Sequence, residues 1–241
     1  MFRNVNRKFA CVFLVFVFAA CNANKSFEVD YYGALKNAMK QNDLSAHISS
    51  DDLDLTNFYA LGALEGLKGE LLILNGEVYT SIQKDTLRTK VIINKPNQFS
   101  ANFMVGARVD EWSSFEIPFD VKTKTELEEF VAKTGLEYGI DSTAAFPFLI
   151  EGLTTSISWH VVNWNKEDTV HTHEKHVKSG AYASGLGEKV TVLGFYSNHH
   201  HGIFTHHSSN IHLHVLNENK TIMGHLDDFV LGERMILKLP K

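Results

Sequence analysis

Residues 211–229 read IHLHVLNENKTIMGHLDDF and place three imidazoles within fifteen positions. A neutral imidazole is a metal ligand, and near neutral pH it also serves as a general acid or base. On a β-strand the side chains at i and i+2 project to one face, so His212 and His214 point together. Asn217-Glu218-Asn219-Lys220 interrupts two β-prone runs and reads as a hairpin turn. A turn centred between Glu218 and Asn219 sets Leu216 opposite Thr221, His214 opposite Met223 and His212 opposite His225. All three histidines then share a face, whereas a turn longer or shorter by one residue sends His225 to the other side. His212, His214 and His225 match a catalytic zinc site, in which three protein ligands leave a position open for water or substrate. Residue type alone does not name the metal, because imidazole also suits copper, iron and nickel.

The elements that must position these side chains are mainly strands. Asn75-Gly76 between ELLIL and EVYTSI is a type I′ hairpin signal. VIINKP, SANFMVGARV, FPFLIEG, SISWHVVNW, KVTVLGFYS and RMILKL continue the pattern. Two helices interrupt it. DYYGALKNAMKQ carries Tyr32, Leu35, Ala38 and Met39 at helical spacing. KTKTELEEFVAKTG offers Thr125 and Glu128 as a capping box, Leu127, Phe130 and Val131 as an apolar face, and Gly135 as a closing residue. Strands that outnumber helices, without regular alternation, predict an α+β fold rather than a doubly wound parallel sheet.

A chain of 241 residues can bury a sizeable core. Its net charge of −5 and lack of a basic run exclude a nucleic-acid binder, which would need clustered Lys and Arg to neutralise phosphates. Only four prolines and no low-complexity linker occur, so residues 22–241 read as one domain with approximate subdomains 27–145 and 146–241. Residues 1–21 read as an export signal: Arg3, Arg7 and Lys8 precede an apolar run too short for a good membrane span. The run ends in FAAC, which resembles a bacterial lipoprotein cleavage box with Phe18 in place of the commoner leucine. Cys21 is then the lipid-bearing first residue of an extracytoplasmic protein held to the membrane by its lipid anchor only. Cys11 lies within the signal, so the mature chain forms no internal disulfide.

In this order the pieces resemble the acetolactate decarboxylase family over nearly all of the mature chain. NFYALGALEGLKGELLILNGEVY looks like its N-terminal signature of a Gly-rich segment, GE and an NG hairpin. IHLHVLNENKTIMGHLDDF looks like its zinc hairpin, with the HxH spacing, the GH and the Asp-Phe that follows. The resemblance implies two β-rich subdomains with few helices, a zinc site on the C-terminal hairpin, and non-oxidative decarboxylation of 2-acetolactate to acetoin. The partner is then a small 2-hydroxy-3-keto acid, with a homodimer left open. Glu70 in KGELL matches the family's glutamate near the metal and becomes the candidate proton relay. The family's substrate-facing arginine falls on His160, which can donate a hydrogen bond but lacks a permanent charge and a bidentate fork. LKLPK offers no counterpart to the family's C-terminal glutamate. VHTHEKH and NHHHGIFTHH add His171, His173, His176, His199, His200, His201, His206 and His207. They support one alternative, an exported zinc- or transition-metal-binding lipoprotein without decarboxylase activity. A metal-dependent hydrolase with bound water as nucleophile is another.

Overall fold

The computed structural model describes residues 25–84 and 91–241, so the export-signal and Cys21 expectations lie outside the described residues. The first sheet has seven strands: β1 (Val29–Tyr32), β2 (Ile48–Ser49), β3 (Phe58–Leu64), β4 (Glu70–Leu74), β5 (Glu77–Gln83), β6 (Val91–Asn94) and β7 (Ser100–Arg108). The second has eight: β8 (Trp112–Glu116), β9 (Phe146–Leu153), β10 (Ser156–Val161), β11 (Ala181–Leu186), β12 (Lys189–Tyr196), β13 (Ile211–Asn217), β14 (Met223–Val230) and β15 (Ile236–Pro240). Every strand pairing within the two sheets is antiparallel. The α-helices among the described residues are α1 (Leu35–Gln41), α2 (Lys124–Glu137) and α3 (His173–Ser179). The fold is α+β and rich in strands, as its patterning requires.

Alternation along the strands builds the core. One face of the first sheet carries Tyr59, Leu61, Leu72, Phe103 and Val105. These meet Leu149, Leu193, Phe195, Leu216 and Met223 from the facing side of the second sheet. The opposite face of the second sheet carries Phe148, Ile150, Val192, Leu213, Val215 and Leu226, covered by Leu127 and Val131 of α2. Burial of both faces explains why β13 reads as an almost unbroken apolar run apart from its histidines. The Asn75-Gly76 turn forms as expected, joining Leu74 to Glu77 with both central residues at positive φ, the type I′ requirement.

Three local expectations are corrected. Val29–Tyr32 is a strand, and α1 begins only at Leu35; Tyr32 packs against a core cluster of the first sheet rather than on a helix face. The capping box of α2 is Thr123 with Glu126, two residues earlier than Thr125 with Glu128. TKTELE fits the pattern at either threonine, and the earlier start frees Glu128 to accept from Ser209 and Asn210. Gly135 does not close α2; it lies inside the helix, where a Cβ would stand 3.1 Å from the Phe146 ring, and the chain leaves through Gly139 at φ +89°.

Candidate metal centre

The register of three neighbouring strands assembles the site. His160 of β10 lies opposite His225 of β14, which lies opposite His214 of β13. His212 stands two residues from His214 on the same face. The sequence-based register is therefore corrected by two positions, from His212 opposite His225 to His214 opposite His225. Asn217 causes the shift. Its backbone pairs with Ile222, and its side-chain oxygen accepts from the N–H groups of Thr221 and Ile222. Four residues thus loop out, with Lys220 in the left-handed region at φ 54°. Because the shift is even, the three imidazoles keep a common face.

Gly224 lets β14 approach this closely, since a Cβ there would sit 2.3 Å from the carbonyl oxygen of His160. A β-bulge then interrupts the pairing of β10 with β14 beside Ser158 and Trp159. It allows Leu226 and Phe229, three residues apart, to enter the same core cluster while Asp227 stays on the face of the histidines.

Hydrogen bonds orient the rings. Nδ1 of His212 donates to the carbonyl of Phe204 at 2.7 Å, and Nδ1 of His214 to that of Leu71 at 3.0 Å. Both rings therefore turn an Nε2 lone pair away from the backbone. Nε2 of His212 lies 3.1 Å from Nδ1 of His225. Burial, then the charge of neighbouring histidines (His214 for His212, His212 for His225), holds both well below the usual histidine range. Burial, followed by the charge of His160, pushes His214 down to about 3. Neutral imidazoles are the form that binds metal.

His206, from the loop before β13, completes a compact group. The ligand atoms of His206, His212 and His225 all lie within 4.8 Å of one another, the arrangement of three among the described residues that could hold a metal ion. Nε2 of His206 is buried with no hydrogen-bond partner among the described residues. Such an orphaned lone pair is what a cation would satisfy, so the donor set fits a metal ion. Five histidines in NHHHGIFTHH gave no means of ranking His206 above its neighbours; only the tertiary structure singles it out. His214 faces the same space, its ring 5.3 Å from that of His212 and 5.6 Å from that of His225. Two of the three sequence-derived ligands thus fall in the tightest group, with His214 beside it.

Glu70 reaches the site from the first sheet and is only 4% exposed. Its Oε1 accepts from the Val162 N–H at 3.0 Å, and its Oε2 lies 3.7 Å from Nε2 of His214. Burial pushes its pKa up to about 7, against the opposing charge of His160 and the Val162 hydrogen bond. His160 directs Nδ1 at both Asp227 oxygens, each at 2.9 Å. Burial alone would lower this histidine, but the Asp227 hydrogen bond and charge, with that of Glu70, raise it overall. Sequence reading passed over Asp227. Its signal was HLDDF, where apolar residues three apart break strand alternation and announce a bulge.

These groups line a cavity of about 680 Å³, together with His171, His173 and His176 from around α3 and with Lys124. That volume suits a small ligand. His171 and His176 bond to each other at 2.8 Å; His171 stacks on Trp164 and His176 lies tilted against it, rather than joining the central group. His199 and His200 lie on the outer loop; His200 bonds Ser197 and stacks on Phe204.

A family model described as alpha-acetolactate decarboxylase matches residues 27–239. No curated protein matches the sequence. Among solved structures, alpha-acetolactate decarboxylase from Bacillus subtilis strain 168 is similar with a TM-score of 0.68 at 18% identity, over 88% of this chain and 85% of that one. Acetolactate decarboxylase from Bacillus subtilis subspecies spizizenii gives 0.69 at 18% identity, over 88% and 86%. A Staphylococcus aureus protein of unknown function, described as similar to alpha-acetolactate decarboxylase, gives 0.66 at 14% identity, over 87% and 84%. At these identities the likeness to each structure is one of fold.

Proposed function

The chain belongs to the alpha-acetolactate decarboxylase family, and from that membership we propose that it converts 2-acetolactate to acetoin and carbon dioxide with zinc held by His212, His214 and His225. Bound there, the ion would polarise the substrate's adjacent hydroxyl and ketone oxygens and lower the energy of the charge left as carbon dioxide departs. The observation that carries this reading is Glu70, a buried carboxyl with a pKa near neutrality in the cavity that holds the imidazoles. Loss of carbon dioxide leaves an enediolate that must take a proton at carbon. Near pH 7 a large fraction of Glu70 carries that proton, and the carboxylate it leaves can be reprotonated for the next turnover. The Val162 N–H fixes Oε1, so Oε2 is the oxygen free to act. One fixed donor on one wall protonates one face. Asp227 holds His160 through Nδ1, which leaves Nε2 to donate to the substrate when the ring is charged.

The test is metal content and acetoin formation from racemic acetolactate by the purified protein. Alanine at His212 or His225 should remove most bound metal, while alanine at His199, His200 and His201 together should leave one tight ion. His214→Ala compared with His206→Ala identifies the third ligand: the one whose loss empties the site. A zinc-loaded protein that forms no acetoin would overturn the decarboxylase reading. Export is a second proposal, carried by the sequence alone. Cys21→Ser should release the protein from membranes or stall its processing, and unchanged anchoring with normal processing would count against lipidation. Among the described residues no helix is long and apolar enough to cross a membrane.

A further inference from the structure

An anionic substrate must enter a cavity in which burial holds His206, His212, His214 and His225 below the usual histidine range and whose nearby carboxyls include Glu70 and Asp227. A fixed positive charge is needed beside them. Three lysines line this cavity: Lys36, Lys40 and Lys124. Lys36 and Lys40 are exposed, whereas Lys124 is partly buried at the start of α2. We propose that Lys124 is the specificity-determining residue that holds the substrate's carboxylate; this rests on the 2-hydroxy acid chemistry proposed above and adds to it the group that recognises the anion.

The Nζ of Lys124 donates to the backbone carbonyl of Asp227 at 3.3 Å. Among the described residues that is its one hydrogen bond, and no carboxylate lies within ion-pair distance of it. The three acidic side chains that act on its charge are Asp227, Asp228 and Glu128. Each is engaged elsewhere. Asp227 bonds His160, Asp228 accepts from the Phe229 N–H, and Glu128 bonds Ser209 and Asn210. An ammonium has three donors, so two remain for a ligand. Its charge is felt at His160, His206 and His212, which places it electrostatically among the reacting groups. Burial also lowers its pKa, as expected for an amine awaiting a counter-ion. Nor does the position favour lysine for stability, because a cation in the first turn opposes the helix dipole. Acetoin carries no carboxylate, so the product loses this contact as carbon dioxide leaves.

The test measures binding, independently of turnover. The zinc-loaded protein is titrated by calorimetry with 2-hydroxy-2-methylpropanoate and with its uncharged amide, a pair of nearly equal shape. Wild type should prefer the carboxylate by roughly tenfold or more, the scale of one charge-assisted hydrogen bond. Lys124→Met keeps the straight apolar stem and should abolish most of that preference at unchanged zinc content and without lowering the melting temperature. Lys124→Arg should restore it. A wild type that does not prefer the anion, or a Lys124→Met variant that still does, overturns the proposal. If the preference depends on Lys124 but acetolactate gives no acetoin, the anion site stands and the lyase reading falls.

Discussion

The role proposed for Glu70 and the stability of the fold pull in opposite directions at one residue. Moving a carboxyl from about 4.5 to about 7 corresponds to a penalty of about 3 kcal/mol against its ionised form. Its folded pKa is raised, so its contribution to stability is complete below about 4.5 and is lost as pH rises through about 7. In the proposed reaction this is the proton consumed, so turnover should fall as pH rises through that value. His160, also raised, loses its proton in the same direction and should steepen the decline. Glu70→Gln should keep its metal, lose at least about a hundredfold in turnover, and still accept the Val162 N–H. Without metal it should be more stable than wild type above pH 7, by a margin that grows from pH 4.5 upward. Urea melts at several pH values measure this; a pH-independent difference would show that Glu70 is not buried with a shifted pKa. His160→Arg should keep activity and flatten the alkaline decline, because guanidinium does not titrate there.

Strand register decides whether the histidines meet, and Gly224 is a point where the pairing of β14 with β10 leaves no room for a side chain. A Cβ at Gly224 would collide with the backbone of His160 and with Val161, so Gly224→Ala should push β14 from β10. Overpacking of this kind costs about 1–3 kcal/mol, and here it also moves His225 away from His160. Zinc affinity should fall far more than the melting temperature implies, whereas Thr123→Ala, which removes the α2 cap at about 1 kcal/mol, should lower only stability. Equal effects on metal and stability in both variants would deny Gly224 a specific role. These elements also show what the amino-acid order discloses. The HxH pair and the even loop put three histidines on one face because strand period is two, even though the pairing itself was off by two. The Asn217 side chain that sets the loop length works through backbone contacts, which composition does not encode. Glu70 was found through family resemblance alone; its burial depends on a sheet more than ninety residues away. Asp227 and Lys124 escaped notice for the same reason, since a bulge and a helix start bring them together across more than a hundred residues.

The site lies on the seam between the two sheets. Glu70 comes from the first and the imidazoles from the second. His214 donates to Leu71 of the first sheet, and Ser81 to the carbonyl of Met223 in the second at 2.7 Å. Whatever disturbs the site therefore disturbs the packing of one sheet on the other. His206, His212, His214 and His225 all have folded pKa values below the ordinary 6.5, so their contribution to stability is present above that value and is lost as pH falls below it, through about 4 for His206 and about 3 for His214. Charging one also repels the others, so the metal-free protein should weaken steeply between pH 6.5 and 4 in a single transition. Zinc bound only by the folded form adds RT ln(1 + [L]/Kd), about 2.7 kcal/mol at a hundredfold excess over Kd. Protons compete for the same nitrogens, so this gain should shrink in the same pH range. Replacing His206, His212 and His225 together with apolar residues should remove both the zinc increment and most of the acid slope. Urea melts followed by tryptophan fluorescence, with and without zinc, test both effects. If zinc leaves the wild-type midpoint unmoved, or the substituted protein keeps the wild-type acid slope, then these histidines do not couple metal binding to the joining of the sheets.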